Sequence, residues 1–219
     1  MLSATRITAS TFGALAGLGG IRHGIGEVQQ GNVRPDGLFI ESWTEGPIAD
    51  HMDGEPGITI VPNMLATGIL ALAVSSVVVL WALFFVRRRR GGLILTLLSV
   101  AMLLVGGGVG PPVIGMLAGW PGAVTGSSLD AWRGRLRGRT RDFLAAAWPW
   151  LYALAATNGV FLFLISVVLL FAFDFQRSDP VLYSFYLAVA LLILTTISAI
   201  ACDLRHLEGV PVRMKGTAL

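Results

Sequence analysis

Four polar residues lie within or against apolar runs of this chain: Arg22, His23, Glu27 and Asn158. His23 and Glu27 are four positions apart, so on a helix they share a face. An imidazole beside a carboxylate can pass a proton or respond to a cation, and ionisable groups inside membrane segments are usually functional. The same pair can instead pack and hydrogen-bond near an interface, because the chain grades from it into Gln29, Gln30 and Asn32. The sequence leaves both readings open. Arg22 projects toward the Leu15 and Leu18 side, so it needs a partner of its own or must reach outward to water. For Asn158, as for Thr195, Thr196 and Ser198, interhelical hydrogen bonding is the default use.

Asp50, His51, Asp53 and Glu55 alternate in a short stretch that could offer oxygen and imidazole ligands to a divalent cation. The spacing is not that of an EF-hand and no second histidine is near, so a solvated acidic loop is expected and no metal. Cys202 is the only cysteine, which excludes an intrachain disulfide and a cysteine-based metal centre. No phosphate loop, zinc motif, nucleophile elbow or dinucleotide fingerprint occurs. The glycines at 106–110 do not read as such a fingerprint, because Pro111 and Pro112 follow where a helix should open. No cofactor and no catalytic residue is expected.

These groups must be positioned by membrane helices. Of the 219 residues, 54% are hydrophobic and 13% charged, with a mean hydropathy of +0.73. A soluble domain carries about 25% charge, so the expected class is an all-α polytopic membrane bundle. A pI near 9.6 would suggest nucleic acid in a soluble protein. Here the arginines flank apolar runs, which points to topology and anionic lipid, with no nucleic acid. The whole of 1–219 reads as one integral membrane domain. Apolar segments are expected at 7–28, 64–86, 151–173 and 181–201, with an outer acidic loop over 31–63 that carries six acidic residues against Arg34. A cleaved leader is not expected: Arg6 and the Ala14–Ala16 triplet flank a run too short and polar for one.

The stretch Val105–Pro112, VGGGVGPP, decides the number of segments. If residues 91–120 crossed once, six arginine and lysine residues would lie inside and nine outside, against the positive-inside rule. If the chain turns back there, thirteen lie inside and two, Arg34 and Arg177, outside. The second arrangement predicts five to six membrane segments, two of them in a hairpin. Its tip would be Gly106, Gly107, Gly108, Gly110, Pro111 and Pro112, both termini would be cytoplasmic, and the location would be the cell (inner) membrane. A helix over 91–110 would extend about 30 Å and one over 111–127 about 25 Å. The tip is expected as a tight turn at the outer surface, the alternative being a re-entrant loop covered by protein.

Gly13, Ala16, Gly17, Gly20 and Gly24 recur at spacings of three and four, a small-residue face that lets helices approach closely. Low hydropathy places that first helix inside the bundle. The stretch 127–147 puts Leu129, Trp132, Leu136, Thr140, Phe143 and Ala147 on one face. It reads as a basic amphipathic helix on the cytoplasmic leaflet, with Trp132, Arg133, Arg135, Arg137, Arg139 and Arg141 at the lipid headgroups. Trp148 and Trp150 then join the interfacial aromatic belt. At the end of the last helix, Arg205 and His206 suit the carboxyl terminus.

The blocks GLGGIRHGIGEVQQGN (17–32), VPNMLATGIL (61–70) and LLVGGGVGPP (103–112) resemble a group of prokaryotic multi-pass membrane proteins with no assigned activity. The resemblance covers the first half of the chain and implies no site. The function favoured by the sequence is a non-enzymatic accessory or scaffolding bundle, in contact with the bilayer and forming a homo-oligomer or binding a membrane-protein partner. The alternative is a small transporter or channel that uses the 105–112 hairpin and the His23/Glu27 pair, since broken helices beside ionisable groups build such sites.

Overall fold

A computed structural model describes residues 3–45, 49, 55–124, 129–136, 138–166, 168–169 and 179–208. Among them are seven α-helices and one small antiparallel strand pair. In chain order these are α1 (Ala4–Gln29), β1 (Phe39–Glu41), β2 (Pro56–Ile58), α2 (Met64–Leu80), α3 (Gly91–Leu104), α4 (Gly110–Val124), α5 (Leu129–Arg135), α6 (Gly138–Val160) and α7 (Asp179–Glu208). One π-helical turn extends α2 over Trp81–Phe85 and another extends α6 over Phe161–Ile165. Three helical stretches, Met64–Phe85, Gly138–Ile165 and Pro180–Leu207, are long and apolar enough to cross a membrane. The chain is therefore a helical bundle of membrane-protein character.

Helix α1 is the axis of the bundle. Fifteen of its 26 residues are buried, so neighbouring elements cover most of it, and its small side chains let them come close. Gly13, Gly17, Gly20 and Gly24 lie against Ala82, Val79, Ser75 and Leu72, so α2 runs antiparallel to α1 at close range. An added Cβ at Gly17 would stand 2.5 Å from Val79 Cγ2. The expected small-residue face is thus present, but α2 fills it within the chain.

On other sides of α1, Thr11 and Tyr152 share a hydrogen bond of 2.7 Å, and Trp148 Nε1 donates to Thr8 Oγ1 at 3.3 Å. Helix α6 therefore runs parallel to α1, and Trp148 is half-buried against it while Trp150 stays exposed. Helix α7 runs antiparallel to both. Asp203 at its end accepts from Ser3 Oγ (2.7 Å), Ala4 N (2.7 Å), Thr5 N (3.2 Å) and Thr5 Oγ1 (2.7 Å). A carboxylate at a helix amino terminus meets unpaired N–H groups and the positive end of the dipole. Sequence reasoning gave Asp203 no role; it ties the first helix to the last.

Two boundaries differ from expectation. The amphipathic helix expected over 127–147 is two elements, because Gly138 at φ 55° breaks it. Leu136 is buried in a cluster with Ala4, Ala145 and α7, whereas Phe143 is 72% exposed, so these two do not share one buried face. Beyond the break, α6 continues through Pro149 without the separate start expected at 151. The hairpin also differs. Helix α3 has 14 residues and ends at Leu104, about 21 Å long, shorter than the 30 Å reading. Pro111 and Pro112 sit in the first turn of α4, where the missing N–H groups have no intrahelical partner to lose. They open the outgoing helix, so a helix does begin where the prolines were expected to preclude one.

Candidate functional site

Helices α3 and α4 pack antiparallel, with Gly119 against Gly92 and Thr96, and Gly115 against Ser99. The tip between them is covered by protein, not the surface turn expected from the sequence: Gly106, Gly107 and Gly108 are all buried. The acidic loop covers it. Gly106 N donates to Ile58 O (2.9 Å), Val109 N to Pro56 O (3.1 Å) and Ile60 N to Leu104 O (3.0 Å), while Thr59 bridges Val105 in antiparallel fashion. Irregular backbone at depth must be satisfied by protein, and β2 does this on one edge while pairing with β1 on the other.

The β1–β2 register pairs Phe39 with Ile58, Ile40 with Gly57 and Glu41 with Pro56. Continued by one step it sets Ser42 opposite Glu55, whose carbonyl accepts from Ser42 N at 2.9 Å. Alternation along the strand turns Ile40 and Ser42 inward and leaves Phe39 and Glu41 exposed. Both Ser42 and Glu55 thereby reach the last turns of α1.

There they meet the residues singled out from the sequence. His23 Nδ1 lies 2.8 Å from Ser42 Oγ, and Ser42 Oγ lies 3.1 Å from Glu27 Oε1. His23 Nε2 is 3.3 Å from Glu55 Oε2, and Glu55 Oε1 accepts from the Arg22 guanidinium. Glu27 is 0% exposed, His23 3% and Ser42 0%. The partner that Arg22 required is Glu55. The tip closes over the cluster from α3: a Cβ at Gly106 (φ 92°) would stand 2.5 Å from Glu27 Oε2, and one at Gly108 (φ 79°) 2.4 Å from His23 Nε2. Only glycine combines that left-handed backbone with that approach. Neighbouring Thr59 and Thr67 bond to each other at 3.0 Å.

The structure therefore brings together Arg22, His23, Glu27 and the 106–108 tip, which are far apart in sequence. It adds Ser42, which sequence reasoning did not select, and Glu55, which it weighed only as a cation ligand. The alternation Phe39–Ser42 was the one local signal for Ser42. Asn158 is not part of this site. Its Nδ2 donates to Ser184 O (2.9 Å) and its Oδ1 accepts from Ser184 Oγ (3.0 Å), joining α6 to α7.

Two features separate the cluster from ordinary packing. Glu27 occupies the last turn of α1, where a carboxylate opposes the helix dipole. Its Oε2 is buried and has no hydrogen-bond partner, a costly state for a carboxyl oxygen. Chemically, the arrangement can hold and transfer a proton. No group of three or more metal-ligating side chains occurs among the described residues. Asp50, His51 and Asp53 lie outside those residues, and Glu55 is committed to Arg22 and His23.

Of the residues expected at the headgroups, Arg133, Arg135 and Arg139 are exposed and Arg141 and Trp132 half-buried, with Arg135 over the Trp132 ring at 5.9 Å; Arg137 lies outside the described residues. No family model, curated protein or solved structure matches the chain.

Proposed function

We propose that the protein is a multi-pass cell-membrane protein acting as a small proton-coupled transporter or channel, with the His23/Glu27 cluster as its proton site. The observation that carries this reading is Glu27: a buried carboxyl with one unpartnered oxygen, set directly beneath a broken helical hairpin. Transporters place discontinuous helices beside ionisable groups for this use. The accessory or scaffolding reading loses ground, because the small-residue face that would have served it is filled by α2.

In this reading α1, α2, α3, α4, α6 and α7 are the six membrane segments and both termini are cytoplasmic. Arg6, Arg87–Arg90, Arg133–Arg141 and Arg205 then meet anionic lipid at the inner face, and the 31–63 loop lies outside. Because Glu27 is sealed, proton passage requires the tip or its covering strand to move. The test is proton flux in sealed proteoliposomes under an imposed pH gradient. Wild-type protein carries flux; Glu27→Gln removes it and Asn158→Ala does not. Flux that is absent, or equal in Glu27→Gln, overturns the reading.

A further inference from the structure

Resting on the reading of the cluster as a proton site, we infer that Ser42 is the bridge of a proton relay that runs Glu55–His23–Ser42–Glu27. A serine hydroxyl has one proton to donate. Ser42 Oγ nevertheless contacts two groups that both exchange protons, His23 Nδ1 at 2.8 Å and Glu27 Oε1 at 3.1 Å. With Glu55 ionised against Arg22 and any Glu27 proton on Oε1, two arrangements satisfy every contact.

In the first, Ser42 donates to the Glu27 carboxylate, so Nδ1–H must donate to Ser42. The ring then also carries Nε2–H toward Glu55, and His23 is an imidazolium. In the second, a Glu27 carboxylic acid donates to Ser42 and Ser42 donates to Nδ1. His23 is then neutral, with Nε2–H still facing Glu55. Both arrangements hold the same number of protons and the same net charge. They interconvert when the Nδ1 proton moves to Ser42 Oγ as the hydroxyl proton of Ser42 moves to Glu27 Oε1. One O–H bond is broken at serine and one re-formed there, one N–H bond is lost and one carboxyl O–H gained. No outside reactant is needed.

The surroundings tell the two ends apart. Arg22 holds Glu55 at the more exposed end, with its side chain 15% exposed against 8% for Glu55. Glu27 Oε2, under Gly106, is the fully buried end. Of the elements packed on the pair, α1 contributes Arg22, the loop contributes Glu55, and α2 and the tip contribute no charge. Ser42 is a positioning and relay residue, placed by strand register with α1 at its back: a Cβ on Gly26 would stand 2.2 Å from Ser42 O.

Coupled groups titrate in macroscopic steps that belong to the pair. The experiment uses the full chain in lipid nanodiscs, with His51→Gln and His206→Gln so that His23 is the remaining histidine. ¹⁵N shifts follow His23, and the infrared band of a protonated carboxyl, identified by its loss in Glu27→Gln, follows Glu27. The expected result is that both probes show the same two pH midpoints. Ser42→Ala separates them into one midpoint each, and Ser42→Thr restores the shared pair. Separate midpoints in the unsubstituted protein, or curves unmoved by Ser42→Ala, overturn the relay. Shared midpoints without flux in liposomes would leave the relay standing and remove the transport reading; flux with separate midpoints would do the reverse.

Discussion

Replacing Gly106 by alanine tests the seating of the tip on the site. The backbone there is left-handed, at φ 92°, which costs a residue with a Cβ about 1–2 kcal/mol. The new Cβ would stand 2.4 Å from Thr67 Cγ2 and 2.5–2.6 Å from both Glu27 oxygens, an overpacking worth about 1–3 kcal/mol. Gly106→Ala should therefore destabilise the fold by about 2–5 kcal/mol, which lowers the unfolding midpoint by roughly 4–20 °C for a chain of this size. Gly31 supplies the control. Its φ is 78° and nothing lies within 4 Å of its Cβ position, so Gly31→Ala carries the backbone cost alone, about 1–2 kcal/mol. The assay is thermal unfolding in mild detergent followed by tryptophan fluorescence. Equal midpoints for Gly106→Ala and Gly31→Ala would refute the contact between tip and Glu27.

Other substitutions probe the supports of the site. Glu55→Ala strands a half-buried Arg22, a loss of about 3–5 kcal/mol that should appear as faster proteolysis within residues 31–63. Protection equal to wild type would mean that the ion pair does not hold the loop. Asp203→Ala removes the acceptor of four hydrogen bonds at the start of α1 and should cost about 2–3 kcal/mol in thermal unfolding; an unchanged midpoint would show the cap to be dispensable. For topology, single cysteines at Asp36 and Arg139 in a Cys202→Ser background should react with an impermeant maleimide from opposite sides of sealed cells. Labelling of both from outside would break the proposed arrangement.

The sequence made the α1 face legible because small residues at spacings of three and four have one geometric meaning on a helix. The spacing of four between His23 and Glu27 put them on one face of the same helix for the same reason, and both are buried. What was not legible depends on partners distant in the chain. Ser42 and Glu55 join the site through the register of two three-residue strands, whose apolar alternation is too short to stand out. The tip read as a surface turn because its cover, Pro56–Ile60, lies more than forty positions away. The break at Gly138 was missed for a different reason. Glycine in a helical pattern reads as a weak point, and only the backbone angle of 55° reveals a change of direction.

The most direct test of the central claim, that the tip and its covering strand must part for protons to pass, is to lock them together. Thr59 and Val105 are antiparallel bridge partners, a pairing whose Cα atoms stand about 4.5–5.5 Å apart, within disulfide range. In a Cys202→Ser background, Thr59→Cys with Val105→Cys should oxidise readily in proteoliposomes. Proton flux should stop in the oxidised protein and return on reduction. A disulfide formed in full with flux unchanged would contradict the claim.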